Sequence, residues 1–299
     1  MEDDFISRTP NGLFAEATVR DVNFIFHIEG KGDSKDTTKL PDYIYYDSII
    51  SNFFDGKYEI KVEGGKTALQ SMVGSLSALS DGDSHIVFMD RDHDEMISSG
   101  LRSDDFVFYT MGYSYENDFW TSKILKKVLT SLLAENPKVD LFIIDWKKLE
   151  KKIAFIHKFN LLSKVNGQQI FKFKGLCGIF FEYVNGNFVV DSGCIFRLKN
   201  IWNGFGVRFT PQTRKVNKLL KNKFYSHPGY LIQGHAYEFY ALEAIHQLNN
   251  SCQLFEQNAK NFSIYKNIAF SHFRSSPRCF MSALAIEYYE ALFSKIQQG

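Results

Sequence analysis

The chain has 299 residues, of which 44% are hydrophobic and 16% aromatic, so it is long enough to bury a substantial core. No run of about 18 apolar residues is present, which argues against a membrane-spanning helix. The N-terminus lacks the basic and apolar regions of a secretory signal, and the four cysteines lie far apart without a CxxC pair. We therefore expect a cytoplasmic protein with reduced thiols and no structural zinc.

The net charge of +1 hides a strong asymmetry between the two halves of the chain. Residues 1–122 contain 10 Lys+Arg and 23 Asp+Glu, whereas residues 123–299 contain 25 Lys+Arg and 11 Asp+Glu. Such a division favours binding of a polyanion by the basic half.

The first 120 residues alternate short apolar strands with helical segments, which predicts an α/β fold with a largely parallel sheet. Strands are predicted over 22–28, 58–62, 85–89 and 106–110. A helix is predicted over 66–79, where Leu69, Val73 and Leu76 recur at helical spacing.

The second half is predicted to be mostly helical, with helices over 121–133, 147–162, 236–248 and 282–296. A small β insertion is expected around 169–196, because Asn185-Gly186 separates two apolar runs in the manner of a hairpin turn. No linker or repeat is evident. We therefore divide the chain into two regions, 1–120 and 121–299.

Acidic residues follow two of the predicted strands. Glu29 follows the first strand, and Asp90, Asp92 and Asp94 follow the strand over 85–89. The carboxyl ends of strands in an open α/β sheet converge on one edge, and alternate residues of an extended chain point to the same side. Carboxylate oxygens are the ligands that Mg²⁺ and Mn²⁺ prefer. The pattern favours metal-assisted phosphodiester chemistry, with polar turns after strands as the simpler alternative.

Three other motifs are excluded by one or two residues each. A calcium loop beginning at the first aspartate needs Gly and Glu where Glu95 and Leu101 stand, and a DxDxT phosphoaspartyl motif fails at Asp94. The run over 63–67 lacks the first glycine of a phosphate-binding loop, because Ile60 occupies that position. Lys66 in that run remains able to reach a phosphate at the same edge.

The strongest candidate for nucleic-acid binding is the stretch 192–237, which has no acidic residue and interleaves cations with aromatic side chains. Such a composition suits a phosphate backbone and unstacked bases, although a solvated basic face is the alternative. Its cations are Arg197, Lys199, Arg208, Arg214, Lys215, Lys218, Lys221 and Lys223.

The acidic motifs resemble those of a known domain family. A glutamate-glycine after the first strand, at Glu29-Gly30, and a DxD after a later strand, at Asp90–Asp92, resemble the Toprim domain of topoisomerases, primases and overcoming-lysogenization-defect (OLD) nucleases. With Glu63-Gly64-Gly65-Lys66 and Tyr115-Glu116-Asn117, the chain resembles the Toprim-like nucleases encoded beside an ABC- or OLD-type ATPase, the AriB-type effectors of PARIS anti-phage defence systems.

The resemblance implies a role for each matching residue. Glu29, Asp90 and Asp92 match the acidic triad and would be catalytic residues that bind Mg²⁺ or Mn²⁺, with Asp94 as a further metal ligand. Lys31, Lys66 and Glu116 would contact the substrate. Region 1–120 would be the Toprim-like catalytic domain, and region 121–299 would bind nucleic acid and the partner.

The resemblance also implies a function: a toxin nuclease of abortive infection that cleaves host tRNA and is held inactive by a partner ATPase until triggered. A homodimer is compatible with the active form. Two alternatives remain open, namely a DNA nuclease of the OLD type and a catalytically silent module that only docks the ATPase.

Overall fold

Four parallel strands form the central sheet of the protein. The computed structural model describes residues 10–30, 35–78, 84–97, 101–134, 136–167, 181–204, 210–222, 225, 227–252 and 261–298. The sheet strands are β1 (Phe24–Ile28), β2 (Tyr58–Val62), β3 (His85–Met89) and β4 (Val107–Tyr109), and their order is β2-β1-β3-β4. The predicted α/β class and largely parallel sheet are therefore confirmed.

Helices surround this sheet and account for most of the second half of the described chain. Those of the first half are α1 (Pro10–Val19), α2 (Pro41–Phe53), α3 (Lys66–Ser77), α4 (Asp94–Ile97) and α5 (Tyr115–Phe119). The remaining helices are α6 (Ser122–Leu133), α7 (Lys138–Val165), α8 (Ser192–Gly204), α9 (Pro211–Leu219), α10 (Gly234–Ser251), α11 (Phe262–Ser275), α12 (Pro277–Phe280) and α13 (Ala283–Gln298).

The two faces of the sheet pack against different partners. On one face, Phe26, Phe88 and Phe108 contact the ring of Phe293 on α13, within a hydrophobic core that continues into the helices of the second half. On the other face, Val87 and Met89 pack against α3 in a smaller cluster. Successive strand residues point to opposite faces, so β3 contributes to both cores and is buried throughout.

The predicted helices over 121–133, 236–248 and 282–296 are confirmed within a few residues. The helix predicted over 147–162 is longer, because Val139, Phe142 and Trp146 extend its buried face toward Lys138. The helix predicted over 66–79 ends at Ser77, and position 79 lies outside the described residues.

The predicted hairpin is confirmed, but the β insertion ends earlier than expected. β5 (Phe181–Val184) and β6 (Asn187–Val190) pair antiparallel around Asn185 and Gly186, whose φ angles of 50° and 84° fit a tight hairpin turn. The expected β structure over 192–196 is wrong, because α8 begins at Ser192. Residues 168–180 of the predicted insertion lie outside the described part of the chain.

The helix α2 had no counterpart among the sequence predictions. Proline occupies its first position, where the missing N–H costs no hydrogen bond, and Tyr45, Tyr46, Ile49 and Ile50 are buried against the core. This helix brings a side chain, Asp42, close to Gly30, just after the carboxyl end of β1. Among the helices that the structure describes, none is both long and apolar enough to cross a bilayer.

Candidate functional site

The strand register places Glu29 beside the carboxyl end of β3. β1 and β3 are hydrogen-bonded neighbours, and Ile28 pairs with Phe88. Glu29 follows β1 directly, and Asp90 follows β3 directly. Adjacent strands lie about 4.8 Å apart, so the two acids follow neighbouring strand ends, with Glu29 level with Met89, one residue before Asp90. The predicted convergence of the two motifs follows from this register.

The turn after β3 separates its aspartates from Arg91. The Arg91 guanidinium is directed into the protein, where Nε donates to the Thr110 carbonyl at 3.0 Å and Nη2 donates to the Tyr288 hydroxyl at 3.2 Å. Asp92 has φ of 51°, a left-handed conformation that aspartate tolerates better than most residues. Its backbone N–H donates to the Tyr113 carbonyl at 2.6 Å. The Arg91 side chain and the backbone N–H of Asp92 therefore fix the turn.

Lys66 reaches the same turn from the first position of α3. Its Nζ lies 2.5 Å from Asp92 Oδ2 and 2.6 Å from Asp94 Oδ2. The backbone N–H of Lys66 also donates to the Glu29 carboxylate, as expected for an acid at a helix N-terminus. One residue thus connects the acids that follow β1 and β3.

Two further carboxylates complete what we call the acidic edge. Glu116 on α5 is buried, and its Oε2 accepts from the Ser114 hydroxyl at 2.5 Å. Asp42 comes from the first turn of α2. The acidic edge consists of Glu29, Asp42, Asp90, Asp92, Asp94 and Glu116.

Burial and mutual repulsion raise the pKa values of acids at this edge. The pKa of Asp90 is well above its usual range, first because of burial and then because of the charges of Glu116 and Glu29. Burial and the charge of Glu116 raise the pKa of Asp42 to about 6. The pKa of Glu29 is raised by burial and by Asp92, against an opposing effect of Lys66. These carboxylates lack sufficient positive charge nearby to offset their burial.

The chemistry of the acidic edge fits a hard divalent cation. Oxygen ligands predominate, repulsion among them is relieved by a cation, and the buried Oε2 of Glu29 has no hydrogen-bond partner among the residues that the structure describes. Within the described ranges, however, no three His, Cys, Asp or Glu side chains form a ready-made metal-binding group. The Lys66 ammonium lies between Asp92 and Asp94 and supplies positive charge there.

Sequence reasoning missed three side chains of this region: Asp42, Tyr46 and His235. The Tyr46 hydroxyl donates to Asp90 Oδ1 at 3.3 Å, and His235 Nδ1 lies 2.6 Å from Glu116 Oε1. Asp42 and Tyr46 belong to the unpredicted α2. His235 follows a turn whose sequence gives no sign of a partner, and the docking of α10 onto α5 brings it to Glu116.

Most of the described basic candidates lie on α8 and α9, while Lys221 follows α9 and Lys223 lies outside the described residues. Lys199, Arg214, Lys215 and Lys218 are exposed, and none of them forms an ion pair with another described residue. α9 contacts both α7 and α4, the helix that begins at Asp94. Next to α9, the Tyr225 hydroxyl donates to Glu95 Oε2 at 3.0 Å. These contacts bring the basic helix α9 close to the acidic edge.

Some predicted substrate contacts cannot be placed. Lys31 and Arg208 lie outside the described residues, as does the side chain of Arg197 on α8. Lys66 and Glu116 both lie at the acidic edge, but each is engaged by neighbouring side chains, Lys66 by aspartates and Glu116 by His235 and Ser114.

Known proteins add no information on the function of this site. No protein-family model matches the chain, and no curated protein matches it significantly.

Proposed function

We propose that the protein is a Mg²⁺- or Mn²⁺-dependent nuclease whose catalytic residues are Glu29, Asp90 and Asp92. The observation that carries the proposal is the meeting of acids from two adjacent parallel strands at a sheet edge where their charges repel one another. Repelling carboxylates with few cations among them favour occupation by a divalent ion.

Each group at the edge has a distinct task in this proposal. Glu29, Asp90 and Asp92 would hold the metal, with Asp94 released from Lys66 to join them. A bound divalent ion supplies charge stabilisation at the phosphate and lowers the pKa of water. Lys66, once released from the aspartates, would contact a phosphate oxygen. The exposed cations of α8 and α9 would hold the nucleic-acid backbone, which bare carboxylates repel.

The narrower proposal follows the resemblance to Toprim-like nucleases encoded beside an ABC-type ATPase. It makes this chain a cytoplasmic anti-phage toxin that cleaves host tRNA and is restrained by its ATPase partner. Support comes from the acids at the matching positions Glu29, Asp90 and Asp92 and from the acid-free basic stretch 192–237.

A second candidate, a catalytically silent module that docks a partner, is favoured by one observation. Lys66 holds Asp92 and Asp94 at 2.5 and 2.6 Å and supplies internally the positive charge that a metal would bring. A DNA nuclease of the OLD type uses the same edge and differs from the main proposal in substrate alone.

The test is incubation of the purified protein with total tRNA and with plasmid DNA, in Mg²⁺ and in EDTA. Glu29→Ala and Asp90→Ala are assayed beside Asp140→Ala, which removes an exposed carboxylate outside the acidic edge. We expect tRNA fragments that disappear with EDTA and in both edge variants, while the control retains activity.

Other results of this assay would support one of the two alternative functions. Cleavage of plasmid alone supports the DNA nuclease. If neither substrate is cleaved, the assay is repeated after co-expression with the neighbouring ATPase and its trigger, and continued inactivity supports the silent module.

A further inference from the structure

His235 forms a carboxylate–histidine pair at the acidic edge. Its Nδ1 lies 2.6 Å from Glu116 Oε1, and Glu116 is buried while His235 is exposed. A carboxylate that accepts from Nδ1–H fixes the orientation of the imidazole and leaves Nε2 as the outward-facing nitrogen. The pair is thus built to present one ring nitrogen to a ligand.

The backbone before His235 is shaped for this approach. A Cβ at Gly234 would lie 1.7 Å from the Ser114 hydroxyl oxygen and 2.5 Å from Glu116 Oε2, so only glycine lets α10 begin this close to α5. The Ser114 hydroxyl donates to the other oxygen of Glu116. Both oxygens of the buried carboxylate are therefore engaged, one by Ser114 and one by His235.

The charges around His235 favour its protonated form. Glu116 on α5, Asp42 on α2 and Glu238 on α10 face the ring, and the hydrogen bond to Glu116 is the main cause that raises the pKa of His235 above 6.5. Glu238 is in turn paired with Lys266 on α11 at 2.7 Å. Glu116 also acts on Asp90, where its charge is the largest electrostatic cause of the raised pKa. The histidine therefore adjoins the proposed metal ligands through one shared carboxylate.

We propose that His235 is the proton donor to the leaving group in the nuclease reaction, positioned by Glu116. This inference rests on the proposed function and adds the residue that completes its acid–base chemistry.

The step balances with water as the only co-reactant. The water oxygen bonds to phosphorus and its proton passes to solvent, the bond from phosphorus to the leaving sugar oxygen breaks, and that oxygen takes the proton from Nε2. The neutral imidazole is then protonated again from solvent. A sugar alkoxide is a poor leaving group and gains from such a donor, whereas p-nitrophenolate leaves without one.

The test compares His235→Gln with wild type on two substrates, tRNA (or plasmid, whichever wild type cleaves) and thymidine 5′-(p-nitrophenyl phosphate). His246→Gln, a histidine on the same helix, is the matched control for folding and stability. We expect His235→Gln to lose about 100-fold or more on nucleic acid, the scale of general acid catalysis. Its activity on the p-nitrophenyl ester should stay close to wild type.

A pH profile gives a second readout. The wild-type rate on nucleic acid should fall as the pH rises through the pKa of His235, and Glu116→Gln should move this limb to lower pH. Equal activity of His235→Gln and wild type on nucleic acid, or an equal loss on both substrates, overturns the proton-donor role while the proposed function stands. If wild type cleaves neither substrate, also after co-expression with the partner ATPase and its trigger, the proposed function fails and the inference fails with it.

Discussion

The acidic edge and the basic surface of α8 and α9 differ in how far their charged groups are exposed to solvent. The acids are buried or half-buried, and burial together with neighbouring negative charges raises the pKa values of Glu29, Asp42 and Asp90. The cations Lys199, Arg214, Lys215 and Lys218 are exposed and free of ion pairs with the described residues. The contrast separates two tasks: fixed charges suit a metal and reacting atoms, whereas mobile exposed charges suit a flexible polyanion.

The energetic consequences also differ. Repelling carboxylates that are partly removed from water lower the stability of the fold, and such groups are typical of functional sites. Exposed lysines and arginines carry no such cost. Substitutions in the two regions should therefore differ in their effects on stability as well as on activity.

The largest effect is expected at Asp90. Asp90→Asn should lower cleavage by about 100- to 1,000-fold, because it removes a proposed metal ligand and the charge stabilisation that depends on it. The melting temperature without metal should not fall, because the substitution removes a buried charge repelled by Glu116 and Glu29. Parallel rate and melting measurements with Asp140→Asn as control check both statements. An equal loss of activity and stability would indicate a structural role.

A pH-dependent effect is expected at Asp42. Its pKa is raised from 3.8 to about 6, so the fold loses stability as Asp42 ionises between these pH values. At metal-free neutral pH the cost is about 3 kcal/mol at most, from roughly 1.4 kcal/mol per pKa unit. Asp42→Asn should gain stability over wild type as the pH rises from about 4 to about 6, and the gain should then level off. Denaturant unfolding at each pH measures the difference in free energy of unfolding between the variant and wild type. A difference that does not change with pH would contradict the prediction.

A smaller effect, on binding alone, is expected at the basic surface. The triple change Arg214→Gln, Lys215→Gln and Lys218→Gln should weaken nucleic-acid binding by roughly 10-fold and reduce its salt dependence, since each lost phosphate contact lowers the slope by about 0.7 to 0.9. Turnover at saturating substrate should stay unchanged.

The matched control for that variant changes Lys126, Lys138 and Lys147 on α6 and α7 to Gln, with the same loss of charge. Filter binding across a salt series compares the nucleic-acid affinity of the two triple variants. Equal weakening by both triples would mean that net charge, and not this surface, governs binding.

The smallest effect is expected at Lys66. Lys66→Met should destabilise the metal-free protein by about 1 kcal/mol, because the repulsion between Asp92 and Asp94 is no longer offset. Mn²⁺ should restore more stability to this variant than to wild type. Thermal melts with and without Mn²⁺ measure the difference, with Lys57→Met as the control for an exposed ion pair. No extra stabilisation by Mn²⁺ would argue against a shared cation position.

Sequence patterns predicted the sheet well, because β1 and β3 are buried apolar runs and their register follows from parallel pairing. The positions of Glu29 and Asp90 at one edge follow directly from that register. The helix α2 and its residue Asp42 were not predicted. Tyrosines supply much of its buried face, so the segment lacks a clear helical pattern of aliphatic residues.

His235 shows a different limit of sequence reasoning. Its partner Glu116 is 119 residues away, and the contact depends on how α10 docks onto α5 through Gly234. The spacing of residues along the sequence does not predict such a contact. The bridging of Asp92 and Asp94 by Lys66 depends likewise on tertiary placement, although the motif itself was noticed.

The most direct test of the acidic edge is a Mn²⁺ titration followed by electron paramagnetic resonance, on wild type, Glu29→Gln, Asp90→Asn, Asp92→Asn and the control Asp140→Asn. We predict saturable binding to wild type and to the control, and weakened or lost binding in the three edge variants. Absence of saturable binding to wild type, or equal binding by all five proteins, would contradict a metal site at this edge.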